Sequence, residues 1–198
     1  MNTSELTSEE SFNIINKAVS NFKLNYQESA EIFLLWGWVL TLACFSQFAI
    51  IKILENTGQY ELIESFSVGS WILLCAFGFI VQFFVIRRIN NKKKVHSYIE
   101  DYLKSLWLVC IISIVVAIIT SFLLEVSSPP IIMLIAGIGT TTTGLLIRFR
   151  PLAIGGICFF AFSIASAFVS NEYLNLLISA AMVIGYLIPG YLLKSAKN

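Results

Sequence analysis

The chain alternates between long apolar stretches and short polar gaps. Six stretches are apolar enough to form helices that cross a membrane, since a crossing takes about 20 residues at a rise of 1.5 Å each. The sequence therefore predicts an all-α, polytopic membrane protein with six transmembrane helices within residues 32–193. The predicted spans are Ile32–Ile51, Phe66–Ile86, Ser105–Leu124, Ile131–Ile147, Leu152–Val169 and Tyr173–Leu193.

The basic residues fall almost entirely on one side of these predicted spans. Of 13 Lys and Arg residues, only Lys52 lies in a gap on the other side. Cytoplasmic loops retain Lys and Arg during insertion, so both termini are predicted to be cytoplasmic. Basic inner segments also suit a leaflet with anionic lipids, which we expect as partners. The candidate contacts to lipid headgroups are Arg87, Arg88, Lys92, Lys93 and Lys94.

Residues 1–31 precede the spans and predict an amphipathic helix on the cytoplasmic side. Thr7-Ser8-Glu9-Glu10 has the form of a capping box, and apolar residues then recur at helical spacing. The polar face is of mixed charge, unlike that of helices that bind lipid by themselves. The helix either packs along the membrane surface or the bundle, or docks a partner protein or a second copy. The candidate partner-binding residues are Phe12, Ile15, Val19 and Phe22.

Composition and charge exclude several classes of protein. With 57% hydrophobic and 13% charged residues, the chain is too apolar for a soluble domain. Six spans leave no room for a second folded domain, and residues 194–198 form a short cytoplasmic tail. No basic face of domain size exists, so nucleic-acid binding is not expected. Each of the four cysteines lies in a different predicted span and is interpreted as a packing residue.

This chain has few residues of the types that bind ions or catalyse reactions in membrane proteins. No ionisable residue lies at depth in a predicted span, which disfavours proton-coupled transport and voltage sensing. No catalytic set, metal cluster or nucleotide-binding loop can be assembled, so we expect no enzymatic activity and no cofactor. Gln47 and Gln82 lie too far apart in height to bond each other, and we expect each to bond a neighbouring helix.

The fourth span allows two interpretations. Gly137 and Gly139 precede the run Thr140–Thr143. Small residues let helices approach closely, and each threonine hydroxyl can bond the carbonyl one turn back. The alternative is a helix broken between the two glycines, which would expose backbone groups to a small substrate, with Pro189-Gly190 as a partner break. The candidate pathway residues are Gly137, Gly139, Thr140 and Thr143.

Two further expectations concern the inner side. The segment from Arg87 to Lys94 is expected to be a basic turn, followed by a helix from Val95 into the third span. Glu28 and Glu31, at the inner mouth of the first span, are expected to pair with the two arginines of the turn between the fourth and fifth spans.

Three segments carry a resemblance to a family. They are Leu35-Trp36-Gly37-Trp38, Arg148-Phe149-Arg150-Pro151 followed by Gly155-Gly156, and the closing Ile188-Pro189-Gly190-Tyr191-Leu192-Leu193-Lys194. Together they look like a group of small bacterial multi-pass membrane proteins without an assigned activity. The resemblance implies a bacterial inner membrane and carries over no site residue.

These patterns favour a non-enzymatic accessory, regulatory or scaffold component that works through its cytoplasmic face. The alternative is a small oligomeric transporter or channel for an uncharged or lipidic solute. A cavity or lateral groove that reaches Thr140–Thr143 would favour transport, and a fully packed bundle would favour the accessory role.

Overall fold

The computed structural model describes residues 30–92 and 98–195, and every regular element in these two ranges is helical. The predicted all-α fold is confirmed for this part of the chain. The predicted N-terminal helix, with Phe12, Ile15, Val19 and Phe22, lies outside the described residues. The elements are α1 (Ala30–Asn56), a short 3-10 helix (Tyr60–Leu62), α2 (Ile63–Lys92), α3 (Tyr98–Leu123), α4 (Pro129–Leu146), α5 (Arg150–Ser166), α6 (Asn171–Met182), a π-helical segment (Val183–Leu187) and α7 (Ile188–Ser195).

Five of the helical segments are long and apolar enough to cross a membrane. They correspond to the first four predicted spans and to the sixth, which is formed by α6, the π-helical segment and α7 together. The fifth predicted span is α5, an apolar helix of 17 residues. At 1.5 Å per residue it extends over about 26 Å, slightly less than the roughly 30 Å of hydrocarbon in a bilayer.

Helices α1, α3 and α4 end in the same kind of reversal. The second residue after each helix has a positive φ: 72° at Gly58, 54° at Glu125 and 54° at Arg148. The next N–H then bonds a carbonyl five residues back, at 3.0 Å after α1, 3.0 Å after α3 and 2.9 Å after α4. This is the Schellman motif, which satisfies carbonyl groups at a helix end that would otherwise lack a partner.

The core and the periphery of the bundle are clearly separated. Helices α4 and α5 share the most extensive interface, and α1 packs against α2, α6, the π-helical segment and α7. Helix α2 packs mainly on α1, and α3 packs mainly on α4. Only 6% of the apolar window of the second span is buried inside the structure, compared with 50% for the last span. The outer faces of α2 and α3 are therefore free to contact lipid.

Two local expectations for the predicted inner side are wrong for the residues that the structure describes. Helix α2 continues through Arg87 and Arg88 to Lys92, because Arg and Lys are good helix formers and no Gly or Pro interrupts them. The predicted basic turn is therefore helical up to Lys92. Glu31 forms no ion pair with Arg148 or Arg150, whose side chains are both exposed. Glu28 and the residues from Lys93 to Ser97 lie outside the described ranges.

Candidate functional site

The fourth span is an uninterrupted helix, so the alternative of a break between Gly137 and Gly139 is wrong. Both glycines are buried, and each admits a neighbour instead of bending the chain. A Cβ at Gly137 would lie 2.7 Å from the Phe160 ring of α5, and one at Gly139 would lie 3.1 Å from Cys110 Sγ of α3. The two glycines therefore serve close packing on two sides of α4.

The interface between α4 and α5 brings their backbones into direct contact. A Cβ at Gly144 would overlap the backbone of Ala153, and one at Gly156 would overlap the backbone and hydroxyl of Thr141. At the other end of this pair, Ser163 Oγ donates a 2.7 Å hydrogen bond to the carbonyl of Pro130. The two helices are thus in contact along most of their length.

The threonine run lies inside this core. Thr140 and Thr143 are both 0% exposed. The Thr143 hydroxyl donates a 2.7 Å hydrogen bond to the carbonyl of Gly139, which is the bond one turn back that the sequence predicts. Thr140 Oγ1 makes no hydrogen bond of good geometry to a described residue, although it lies beside the hydroxyl of Tyr186.

Tyr186 brings a phenol into the centre of the bundle from the π-helical segment. It is 5% exposed, and its ring centroid lies 5.0 Å from that of Phe159 and 6.1 Å from that of Phe33. Phe159 sits directly against Gly185, where any Cβ would overlap the Phe159 ring. Tyr186 and Thr140 therefore form a small polar contact enclosed by aromatic side chains.

The π-helical segment has an identifiable cause. Pro189 has no N–H, and its ring would clash with the carbonyl of Gly185 in a regular α-helix. The helix widens instead, and the N–H of Ile188 bonds the carbonyl of Val183 five residues back. The Gly185 carbonyl faces Gly155 of α5, where a Cβ would lie only 2.8 Å away. The sixth span thus stays helical through Pro189 and Gly190, with one widened turn at Val183–Leu187, so the alternative of a partner break at Pro189-Gly190 is wrong.

The two glutamines bond the facing helix in the α1–α2 pair, as predicted. Trp36 Nε1 donates a 2.7 Å hydrogen bond to Gln82 Oε1, and Trp71 Nε1 donates a 2.5 Å bond to Gln47 Oε1. The sequence prediction did not identify tryptophan as the partner. A signal was present, because the same number of residues separates Trp36 from Gln47 as separates Trp71 from Gln82.

Exposed arginines lie at the end of the bundle that the sequence predicts to be cytoplasmic. Arg87 and Arg88 are exposed at the end of α2, and Arg148 and Arg150 are exposed in the turn between α4 and α5. Lys92 ends α2, and Lys93 and Lys94 lie outside the described residues. Glu100, in the first turn of α3, is only 7% exposed, and the sequence did not predict this burial.

The described residues do not form a metal-binding cluster or a disulfide. Within residues 30–92 and 98–195, no group of three or more His, Cys, Asp or Glu side chains could hold a metal ion. The four cysteines are free, and Cys44 and Cys110 are buried among apolar neighbours. Their packing role is consistent with the sequence interpretation.

Comparison with known proteins finds no match to a family model, to a curated protein or to a solved structure. The resemblance to small bacterial membrane proteins therefore stays a prediction. Function has to be argued from the arrangement of the residues themselves.

Proposed function

We propose that the chain is a six-span protein of a bacterial inner membrane, with both termini in the cytoplasm, and that it acts as a non-enzymatic accessory, regulatory or scaffold component through its cytoplasmic face. The observation that carries this proposal is the closure of the candidate pathway. Thr140 and Thr143 have no exposed surface, and the glycines beside them are filled by neighbouring helices. A solute would meet packed side chains where the sequence placed its route.

Helix α5, the fifth predicted span, is too short to count as a crossing by its length alone, but its position along α4 supports one. Their contacts run from Gly144 and Ala153 at one end to Pro130 and Ser163 at the other. Helix α4 is long and apolar enough to cross a membrane. Because α5 extends beside α4 over this length, it crosses the same hydrocarbon layer in the opposite direction.

The cytoplasmic face combines two kinds of surface. Arg87, Arg88, Arg148 and Arg150 are exposed, and basic side chains beside a membrane attract anionic headgroups, at about 1 kcal/mol for each residue near the surface. The second surface is the predicted helix within residues 1–31, whose apolar residues would dock a cytoplasmic protein or a second copy. Its candidate contacts are Phe12, Ile15, Val19 and Phe22.

Site-specific photocrosslinking in intact membranes tests the docking role. A photoreactive residue at Phe12 or Phe22 should give a protein adduct of defined mass, because these positions share the apolar face. The matched controls are Asn13 and Lys17 on the polar face, which should give none. Equal adducts from both faces, or lipid adducts alone, would rule out this face as the docking surface.

Deletion of residues 1–27 tests the same proposal from the other direction. The shortened chain should still insert, since it keeps all six predicted spans. Its crosslinks and copurifying partners should be lost. If every interaction survives the deletion, the proposed accessory role through this helix is wrong.

A topology experiment tests the membrane arrangement separately. Reporters that are active only outside the cytoplasm should work when inserted at Gly58 or Ser127, and they should be inactive at Phe149 or after Asn198. An active reporter at the C-terminus would contradict the proposal of six crossings with both termini inside.

The π-helical turn in the sixth span favours transport of an uncharged or lipidic solute as a second candidate. π-Helical turns are frequent at functional sites, and this one places Tyr186 beside Thr140. In that case Tyr186→Phe should change solute flux through reconstituted vesicles, whereas Tyr191→Phe near the membrane surface should not. Equal flux for both variants and for empty vesicles would remove this candidate.

A further inference from the structure

An open depression of about 670 Å³ lies where α3 ends and the chain turns toward α4. This volume is in the range of roughly 300–1,000 Å³ that is typical of small-molecule sites. The depression is at the end of the bundle opposite the exposed arginines. Its apolar wall includes Ile118, Phe122 and Leu123, and its polar lining consists of Ser121, Glu125 and Ser128.

Ser121 is the first indication of a ligand. Its side chain is buried, with the residue 4% exposed, and its hydroxyl has no hydrogen-bond partner among the described residues. A serine in a helix can bond the carbonyl one turn back, as Ser105 does with Asp101 at 2.9 Å. A buried hydroxyl without a partner is unfavourable, so a polar group that reaches Ser121 would be stabilised.

Glu125 is the second indication. It occupies the left-handed position after α3, where a side chain is disfavoured and glycine is the usual residue. Gly58 fills the equivalent position after α1. The side chain of Glu125 is exposed and lines the depression, beside the negative end of the α3 helix dipole. Both the carboxylate and the dipole favour a cation at this place.

We propose that the depression binds the headgroup of a membrane lipid that carries a primary ammonium group. An ammonium has three N–H donors and no acceptor, so it can bond the Glu125 carboxylate and, after the Ser121 side chain turns to a rotamer that faces the depression, the Ser121 hydroxyl as well. The apolar wall would receive the upper part of an acyl chain. Ser128 makes no capping hydrogen bond, and its hydroxyl is available to the lipid phosphate. This site depends on the membrane-spanning arrangement and is independent of the proposed cytoplasmic role.

A choline headgroup provides the discriminating comparison. It has the same charge as an ethanolamine headgroup, but its quaternary nitrogen has no N–H to donate. The full chain is placed in nanodiscs with equal amounts of the two lipids and matched acyl chains, and the retained lipids are counted by native mass spectrometry. We expect enrichment of the ethanolamine lipid by about threefold, because the two headgroups share their charge and differ only in the hydrogen bonds that the ammonium donates at a solvent-accessible site.

Three variants connect the enrichment to the site. Glu125→Gln and Ser121→Ala should each reduce it toward the bulk ratio. Glu125→Gly removes the carboxylate and suits the left-handed turn, so it should reduce the enrichment without loss of the fold. The matched control is Glu64→Gln, which removes an exposed carboxylate at the start of α2, and it should keep the full enrichment.

Two results of the lipid comparison would overturn the proposal. One is retention of both lipids by the wild-type chain in the proportion of the nanodisc. The other is an enrichment that survives both Glu125→Gln and Glu125→Gly. Free ethanolamine added at millimolar concentration should displace little of the bound lipid, because it lacks the tail. Complete displacement would show that the site takes a soluble amine, and the lipid assignment would be wrong.

Discussion

Two antiparallel helix pairs in this molecule are held together by different kinds of contact. In the α4–α5 pair, Gly144 and Gly156 let the backbones touch. In the α1–α2 pair, two hydrogen bonds between tryptophan and glutamine side chains cross the interface. In lipid there is no hydrophobic driving force between helices, so close packing and interhelical hydrogen bonds have to stabilise their association. Each pair is stabilised mainly by one of these two kinds of contact.

The two kinds of contact should respond differently to substitution. Close backbone contact does not tolerate a larger side chain, because any added atom forces the two helices apart along their length. Side-chain hydrogen bonds across an interface with more room are separable, and each contributes a modest amount. The α4–α5 pair should therefore fail abruptly upon substitution, whereas the α1–α2 pair should weaken in steps.

The largest effect is expected for Gly144→Ala. Its Cβ would overlap the backbone of Ala153, which cannot move without α5, and we expect a loss of about 3 kcal/mol in the free energy of unfolding. Unfolding of the purified chain by heat or detergent, followed by circular dichroism, measures it. The matched control is Gly69→Ala on α2, whose Cβ would enter open space. Similar losses for both variants would show that the contact at Gly144 is not special.

A smaller effect is expected for Trp36→Phe. The substitution removes the indole N–H and leaves Gln82 Oε1 without its donor in a partly buried place, which should cost about 1.5 kcal/mol. A double-mutant cycle with Gln82→Leu should show that the two losses are not additive. The second bond, from Trp71 to Gln47, should hold the pair together in either variant. Strict additivity would mean that the two side chains do not interact.

These two pairs also show what the sequence could predict. The sequence predicts an interhelical partner for Gln47 and for Gln82, because long polar side chains in lipid need one. It does not predict their donors, because Trp36 and Trp71 have a sufficient explanation as residues of the membrane boundary. Only the antiparallel pairing of the two helices brings each tryptophan to the height of the other helix's glutamine.

The interior of the second half was predicted less completely. The small residues of α4 correctly indicated close packing, but the same residues also suggested a break that does not exist. The actual irregularity is in the sixth span, where Pro189 was visible in the sequence. Its consequence depends on Phe159 and Gly155 of another helix, which accept the widened turn at Gly185. Such a fit between helices has no local sequence pattern.

The turns of the two pairs differ in the residue that holds the left-handed position. The α1–α2 turn has Gly58 at φ 72°, and glycine adopts this conformation without steric cost. Gly58→Ala should therefore destabilise the chain by about 1 kcal/mol, although its Cβ would meet no other residue. Thermal unfolding measures the loss. Gly69→Ala is again the matched control, since it adds the same methyl group within a regular helix. An unchanged stability would show that this turn is not strained by a side chain.

The α4–α5 turn should respond in the opposite direction and least of all. Arg148 holds the left-handed position at φ 54°, and Arg148→Gly would relieve that strain. Greater freedom of glycine in the unfolded chain offsets part of the gain, so we expect a net stabilisation of about 0.5 kcal/mol. Arg148→Ala removes the same charge and keeps a side chain, so the difference between the two variants isolates the backbone contribution. If both variants lose equal stability, the positive charge at the end of α4 matters more than the conformation of the turn.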